Sequence, residues 1–103
     1  MAKEIDVRQL KSRLDAGDDF VFVDVREPHE YEEFNLGADL IPLGSIPERL
    51  GEFGEDKSTP IVLHCRSGAR SGQAQRYLQA QGYTDVTNVT GGVLAWREAF
   101  PGE

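Results

Sequence analysis

Short apolar runs alternate along the chain with segments whose apolar residues recur at helical spacing. Two runs are continuous, Phe20-Val21-Phe22-Val23 and Ile61-Val62-Leu63-His64. Continuity predicts strands buried on both faces, the condition of a parallel sheet covered by helices. Glu4-Ile5, Leu40-Ile41 and Val86 to Val89 are predicted as shorter strands, the second closed by Pro42. Asp6, with Gln9 three residues on, has capping-box spacing, and Val7, Leu10 and Leu14 form the apolar stripe of a helix that Gly17 stops. Pro28 suits the first turn of a short helix through Phe34, with Glu27 and Glu30 near its positive end. Ser45 to Phe53 is predicted as another short helix with Pro47 near its start. A longer one runs from about Ser71 to Gln81, with Ala74, Tyr77 and Leu78 inward and Gly82 as its stop. A last helix follows Gly91-Gly92 and carries Leu94, Trp96 and Phe100. About five short strands interleaved with helices predict an α/β domain with a mainly parallel sheet flanked by helices on both faces.

At 103 residues, with neither repeat nor linker, the chain is expected to be one domain, 1–103. Its 39% hydrophobic and 28% charged content is that of a soluble globular protein. No apolar run approaches the roughly 18 to 20 residues of a bilayer span. No secretory signal opens the chain, so the expected compartment is the cytoplasm and no membrane partner is expected. One cysteine rules out an internal disulfide. His29, His64 and Cys65 lack ligand spacing, so no metal and no other cofactor is expected. Residues 1–55 carry six basic and fourteen acidic side chains, whereas residues 56–103 carry five and four. The acidic half reads as a solvated face, nucleic acid is a poor partner, and an anion site belongs in the second half.

The chemistry concentrates between Ile61 and Gly72, where a buried strand is followed by Cys65, a tight turn and a helix start. In open parallel sheets sites gather at the carboxyl ends of strands, where both Cys65 and Asp24 fall. Backbone N–H groups from Arg66 through Ser67, Gly68, Ala69 and Arg70 to Ser71 have no strand partner. The first amides of the helix have no intrahelical acceptor. Curled around a thiol they form an anion nest at the positive end of a helix, to which Arg66 and Arg70 add charge. Such a site draws a cysteine pKa from about 8.5 to roughly 3.5–7.5. A shift of about two units favours the thiolate by about 2.7 kcal/mol. A lone cysteine after an apolar strand is otherwise a buried structural thiol. Two nearby arginines and Gly68 favour the nucleophile.

Asp24-Val25-Arg26-Glu27, Glu30-Tyr31, Ile41-Pro42-Leu43, Cys65-Arg66-Ser67-Gly68-Ala69-Arg70-Ser71 and Gly91-Gly92-Val93-Leu94-Ala95-Trp96 together resemble a single-domain rhodanese over nearly the whole chain. The resemblance implies a sulfurtransferase in which Cys65 takes a sulfane sulfur from thiosulfate, a persulfide or a polysulfide. Cys65 holds it as a persulfide within the loop amides and passes it to a thiol, cyanide or a sulfur-carrier protein. It further implies that Asp24 and Arg26 brace the loop as a pair or through its backbone. Four residues separate Cys65 from Arg70, one fewer than in the related cysteine-dependent phosphatases, which favours a single outer sulfur over a phosphate. Long two-domain thiosulfate sulfurtransferases carry an arginine where this chain has Glu30 and a lysine where it has Ser67. Thiosulfate is therefore expected to be a weak donor, with Arg70 the cation left to stand in. Phe34-Asn35-Leu36-Gly37-Ala38 is one residue shorter than the family's usual segment, which should reshape a loop only.

His64 neighbours Cys65 but should point to the opposite face of its strand, so a Cys–His pair is not expected. His29 reads as a surface residue, Trp96, Tyr77 and Phe100 as core, and Gly91-Gly92 as a tight strand-to-helix turn. Asn88-Val89-Thr90 is a formal glycosylation sequon without a secretory context. Ser67 and Ser71 lack the setting of a hydrolase nucleophile. The alternative function is a rhodanese-like interaction or regulatory module with little turnover, and phosphatase or arsenate reductase chemistry ranks third. The sequence fixes neither the physiological donor and acceptor nor the oligomeric state.

Overall fold

The computed structural model describes residues 3–102. Five strands, β1 (Lys3–Ile5), β2 (Val21–Asp24), β3 (Asp39–Leu40), β4 (Ile61–His64) and β5 (Val86–Val89), form one sheet in the order β1-β5-β4-β2-β3. Every pairing is parallel. Helices α1 (Val7–Asp15), α2 (Pro28–Glu33) and α3 (Ala69–Ala80) make the connections, together with a 3₁₀ segment over Leu43–Phe53, and α4 (Gly92–Ala99) follows the last strand. Among the described residues no helix is long and apolar enough to cross a membrane.

The parallel register separates two cores. Val23 pairs with Leu63, and both face a layer built from Ala74 and Leu78 of α3 with Ile46 and Phe53 of the 3₁₀ segment. Val62 and Val89 face the other layer, where Val7 and Leu10 of α1 meet Trp96 of α4. Cys65 lies with the first core. The capping box of Asp6 and Gln9 forms as the spacing predicts, at 2.8 Å in each direction.

Several boundaries depart from the sequence expectations. α3 starts at Ala69 rather than Ser71, because Gly68 (φ 102°) turns the chain into the helix two residues earlier. Residues 43–53 wind as 3₁₀ helix, since Pro47 has no amide to donate and Arg49 (φ −115°, ψ 25°) breaks the helical path. The first continuous run forms a strand only from Val21, and Val21 and Phe22 are half-buried. β3 covers only Val23 and Asp24 of that strand, which leaves its first half with one neighbour. β3 itself lies one residue earlier than Leu40-Ile41. Leu94, carried by the last helix, is 47% exposed.

Candidate active site

The crossover from β4 to α3 places Cys65 where the chain leaves the sheet, with α3 pointing its N-terminus back at the thiol. The turn is possible because Gly68 holds a left-handed conformation, which costs a side-chain-bearing residue strain. Sγ of Cys65 accepts hydrogen bonds from the Gly68 amide (3.1 Å), the Ser71 amide (3.4 Å) and the Ser71 hydroxyl (3.3 Å). Cys65 is almost wholly buried, with 1% of its surface exposed. Burial pushes the thiol pKa up, but the Ser71 hydroxyl and the amides of Ser71, Gly68 and Ser67 outweigh it, and the net shift is downward. Backbone donors thus perform the role that the sequence expectation shared with Arg66 and Arg70.

Neither of those arginines is among the side chains that donate to Sγ. Arg66 is exposed and, among the described residues, makes no ion pair. Arg70, in the first turn of α3, forms a two-pronged pair with Glu30 of α2, at 2.7 and 2.8 Å. The Arg70 guanidinium holds the Glu30 carboxyl down at about 2, with burial opposing. The cation expected to stand in for the missing thiosulfate ligands is therefore bound to the carboxylate that replaced one of them.

Asp24 and Arg26 form the expected pair, and it is buried. Nη2 of Arg26 lies 2.7 Å from Oδ2 of Asp24, and Nε lies 3.0 Å from each carboxylate oxygen. The Arg26 amide also donates to Asp24 Oδ1 at 2.9 Å. Arg26 goes on to donate to the carbonyls of Phe34 (2.6 Å) and Glu30 (3.4 Å). Among the described residues the pair makes no hydrogen bond to the cysteine loop. It fixes α2 to the end of β2, and α2 carries the carboxylate that holds Arg70.

Two supports lay outside the sequence expectations. Asn88 of β5 accepts from the Ser71 hydroxyl at 2.6 Å and donates from Nδ2 to the Gly68 carbonyl at 3.2 Å. The single Ser71 hydroxyl hydrogen is thus contested between Asn88 and Sγ. An amide side chain inside a fully buried strand was the available signal, since a buried polar group needs partners. Those partners lie 17 and 20 residues away, so no local motif marks it. The second support is the start of α4, where the amides of Val93 and Leu94 donate to the carbonyls of Cys65 (2.9 Å) and Arg66 (3.0 Å). A Cβ on Gly92 would run into those same two carbonyls, so close approach requires glycine there.

His64 lies on the opposite face from Cys65, as expected, in contact with Phe22 and 3.7 Å from Asp24. Neither of its ring nitrogens has a hydrogen-bond partner among the described residues. Burial pushes its pKa down, and the Asp24 charge only partly offsets that. His29 is exposed, and Trp96 is buried between α1 and α4. The arrangement as a whole can hold negative charge on sulfur at the end of β4.

Known proteins share the pattern. A family model described as a rhodanese-like domain matches residues 6–99. The chain is 42% identical over 103 residues to a protein named sulfurtransferase from Allochromatium vinosum, covering 98% of this chain and 94% of that one. It is 38% identical over 71 residues to a thiosulfate sulfurtransferase from Escherichia coli, covering 68% of each. A rhodanese-like domain protein from Staphylococcus aureus superposes with a TM-score of 0.82 at 36% identity, covering 91% of this chain and 90% of the other.

Proposed function

The chain belongs to the rhodanese-like domain family, and from that footing we propose that it is a sulfurtransferase carrying sulfane sulfur on Cys65. The observation that carries this reading is the set of donors around Sγ: two amides and a hydroxyl converge on one thiol. These donors favour the thiolate, and the thiolate is the nucleophile.

In the first half-reaction the Cys65 thiolate attacks the outer sulfur of the donor. A Cys65 S–S bond forms, and the donor's bond to that sulfur breaks with its electron pair; with thiosulfate the leaving group is sulfite. The negative charge then resides on the outer sulfur, within reach of the amides at the N-terminus of α3. In the second half-reaction an acceptor thiolate or cyanide attacks that sulfur, and Cys65 leaves as the thiolate. Sulfane sulfur changes carrier with no net oxidation. The lone cysteine supplies no internal resolving thiol, so the acceptor comes from outside.

The test is intact mass before and after incubation with thiosulfate, mercaptopyruvate or polysulfide, in separate arms. Gain of one sulfur atom, located to Cys65 and lost in Cys65→Ser, is the expected result, and the arm that works names the donor class. No gain in any arm, with a thiol that titrates at its ordinary pKa, would replace this reading with that of an interaction module.

A further inference from the structure

A groove of about 230 Å³ opens beside the cysteine loop, between α2 and α4. It is lined by Arg66 next to the candidate nucleophile, by Leu94 and Arg97 of α4, by Glu33 at the end of α2 and by Phe34 just after it. The volume falls below the range of about 300–1,000 Å³ usual for drug-sized ligands, which suits a smaller occupant. Two further residues of its wall, Arg26 and Glu30, have their charges matched by Asp24 and Arg70. Arg66 and Arg97 make no ion pair among the described residues, and Glu33 is the one opposing carboxylate. In a chain of formal charge −7 this groove is a local excess of positive charge.

Its apolar part is as specific. Leu94 is the one large hydrophobic side chain exposed among the described residues, and it sits on this wall. Arg97 lies three residues further along α4, on the same helix face. Its guanidinium is 4.8 Å from the centre of the Phe34 ring, which keeps the head over the apolar floor. From the cysteine loop outward the wall therefore presents Arg66, then Leu94, then Arg97 about one helical turn away.

We propose that this groove seats the sulfur acceptor, and that the acceptor is a small thiol with an apolar stem of a few methylenes ending in a carboxylate. The proposal rests on the persulfide reading of Cys65. The stem lies on Leu94 and Phe34, the carboxylate meets Arg97, and the thiol end reaches the loop past Arg66. There the acceptor thiolate attacks the outer sulfur, the S–S bond to Cys65 breaks, and the electron pair returns to Cys65. The acceptor departs as a persulfide.

Two measurements test this, one of them independent of persulfide chemistry. The S-methyl thioether of mercaptohexanoate, which cannot accept sulfur, is titrated into the protein while amide chemical shifts are followed. Saturable shifts at Phe34, Leu94 and Arg97 are expected, weakened about three- to fivefold by Arg97→Gln and strengthened by Glu33→Gln. Absence of saturation, shifts confined to other surfaces, or an equal response to the corresponding alcohol would overturn the groove assignment. Protein loaded with sulfur is then discharged by mercaptohexanoate, mercaptohexanol or cyanide. The carboxylate thiol should outpace the alcohol, and Arg97→Gln and Leu94→Ser should lower its rate relative to cyanide. Equal rates for the two thiols, or an advantage that survives Arg97→Gln, would sink the proposal. Failure to load any sulfur would instead defeat the persulfide reading, and the thioether titration would still decide the groove.

Discussion

Arg70 and Glu30, 40 residues apart in the chain, meet in a two-pronged ion pair that joins the first turn of α3 to α2 beside the cysteine loop. The pair decides how much of the Arg70 charge is available at the mouth of the site. Because Glu30 stays ionised down to about pH 2, the pair is closed at neutral pH. Its contribution to stability is present above the ordinary carboxyl pKa of 4.5 and is lost as pH falls toward 2.

Glu30→Gln releases the Arg70 guanidinium toward an anionic donor. The rate of Cys65 sulfur loading from thiosulfate should rise by about fivefold at neutral pH, while loading from an uncharged trisulfide changes less. Stopped-flow loading rates with the two donors check this. A thiosulfate rate that stays level or drops would mean that Glu30 acts by shaping the loop and not by engaging the charge.

Ser71→Ala removes one of the donors that stabilise the thiolate. A hydrogen bond to a charged group is worth about 1.5–3 kcal/mol, so the Cys65 pKa should rise by about one to two units. The pH dependence of iodoacetamide alkylation reads this directly. Asn88→Ala should act in the opposite sense on the same curve, because it leaves the Ser71 hydroxyl hydrogen free to face Sγ. If both substitutions raise the pKa alike, Asn88 serves to place the Gly68 turn and the contest for the hydroxyl hydrogen is immaterial.

Asp24→Asn leaves Arg26 buried without a counter-charge. Breaking such a pair costs about 3–5 kcal/mol, a large part of the total stability of a small domain. Urea denaturation should show the loss, accompanied by altered Cys65 alkylation kinetics as α2 loosens. A shift in the urea midpoint with native alkylation kinetics would confine the pair to holding the fold.

His64 resists protonation in the folded state, so the unfolded chain binds its proton first. Burial lowers the folded pKa below 6.5, and stability is therefore lost as pH falls below about that value. His64→Leu removes two unpaired buried nitrogens along with the titration. Its thermal midpoint should fall less than that of the parent between neutral pH and pH near 5. Matching profiles for the two proteins would assign the acid sensitivity to another group.

The two buried runs, the beat of strand and helix, and the strand-to-helix turn at Cys65 were legible in the sequence. Each is set by neighbours a few residues apart. Hydrophobic continuity, capping residues and glycine at a turn act locally, so the parallel sheet, the capping box at Asp6 and the placement of His64 away from Cys65 followed from them. The Asp24–Arg26 pair came from the family resemblance, and it too spans only two residues. Tertiary structure alone decided the partners far apart in the chain. Arg70 found Glu30 across 40 residues, and Asn88 reached Ser71 across 17. The start of α4 was drawn onto the carbonyls behind the thiol, and Leu94 was left exposed on a groove wall. Side-chain type records what a residue can bond to, but the partner depends on the order of strands in the sheet. That order, β1-β5-β4-β2-β3, sets β5 beside β4 and α2 beside the start of α3, and no local pattern of residues specifies it.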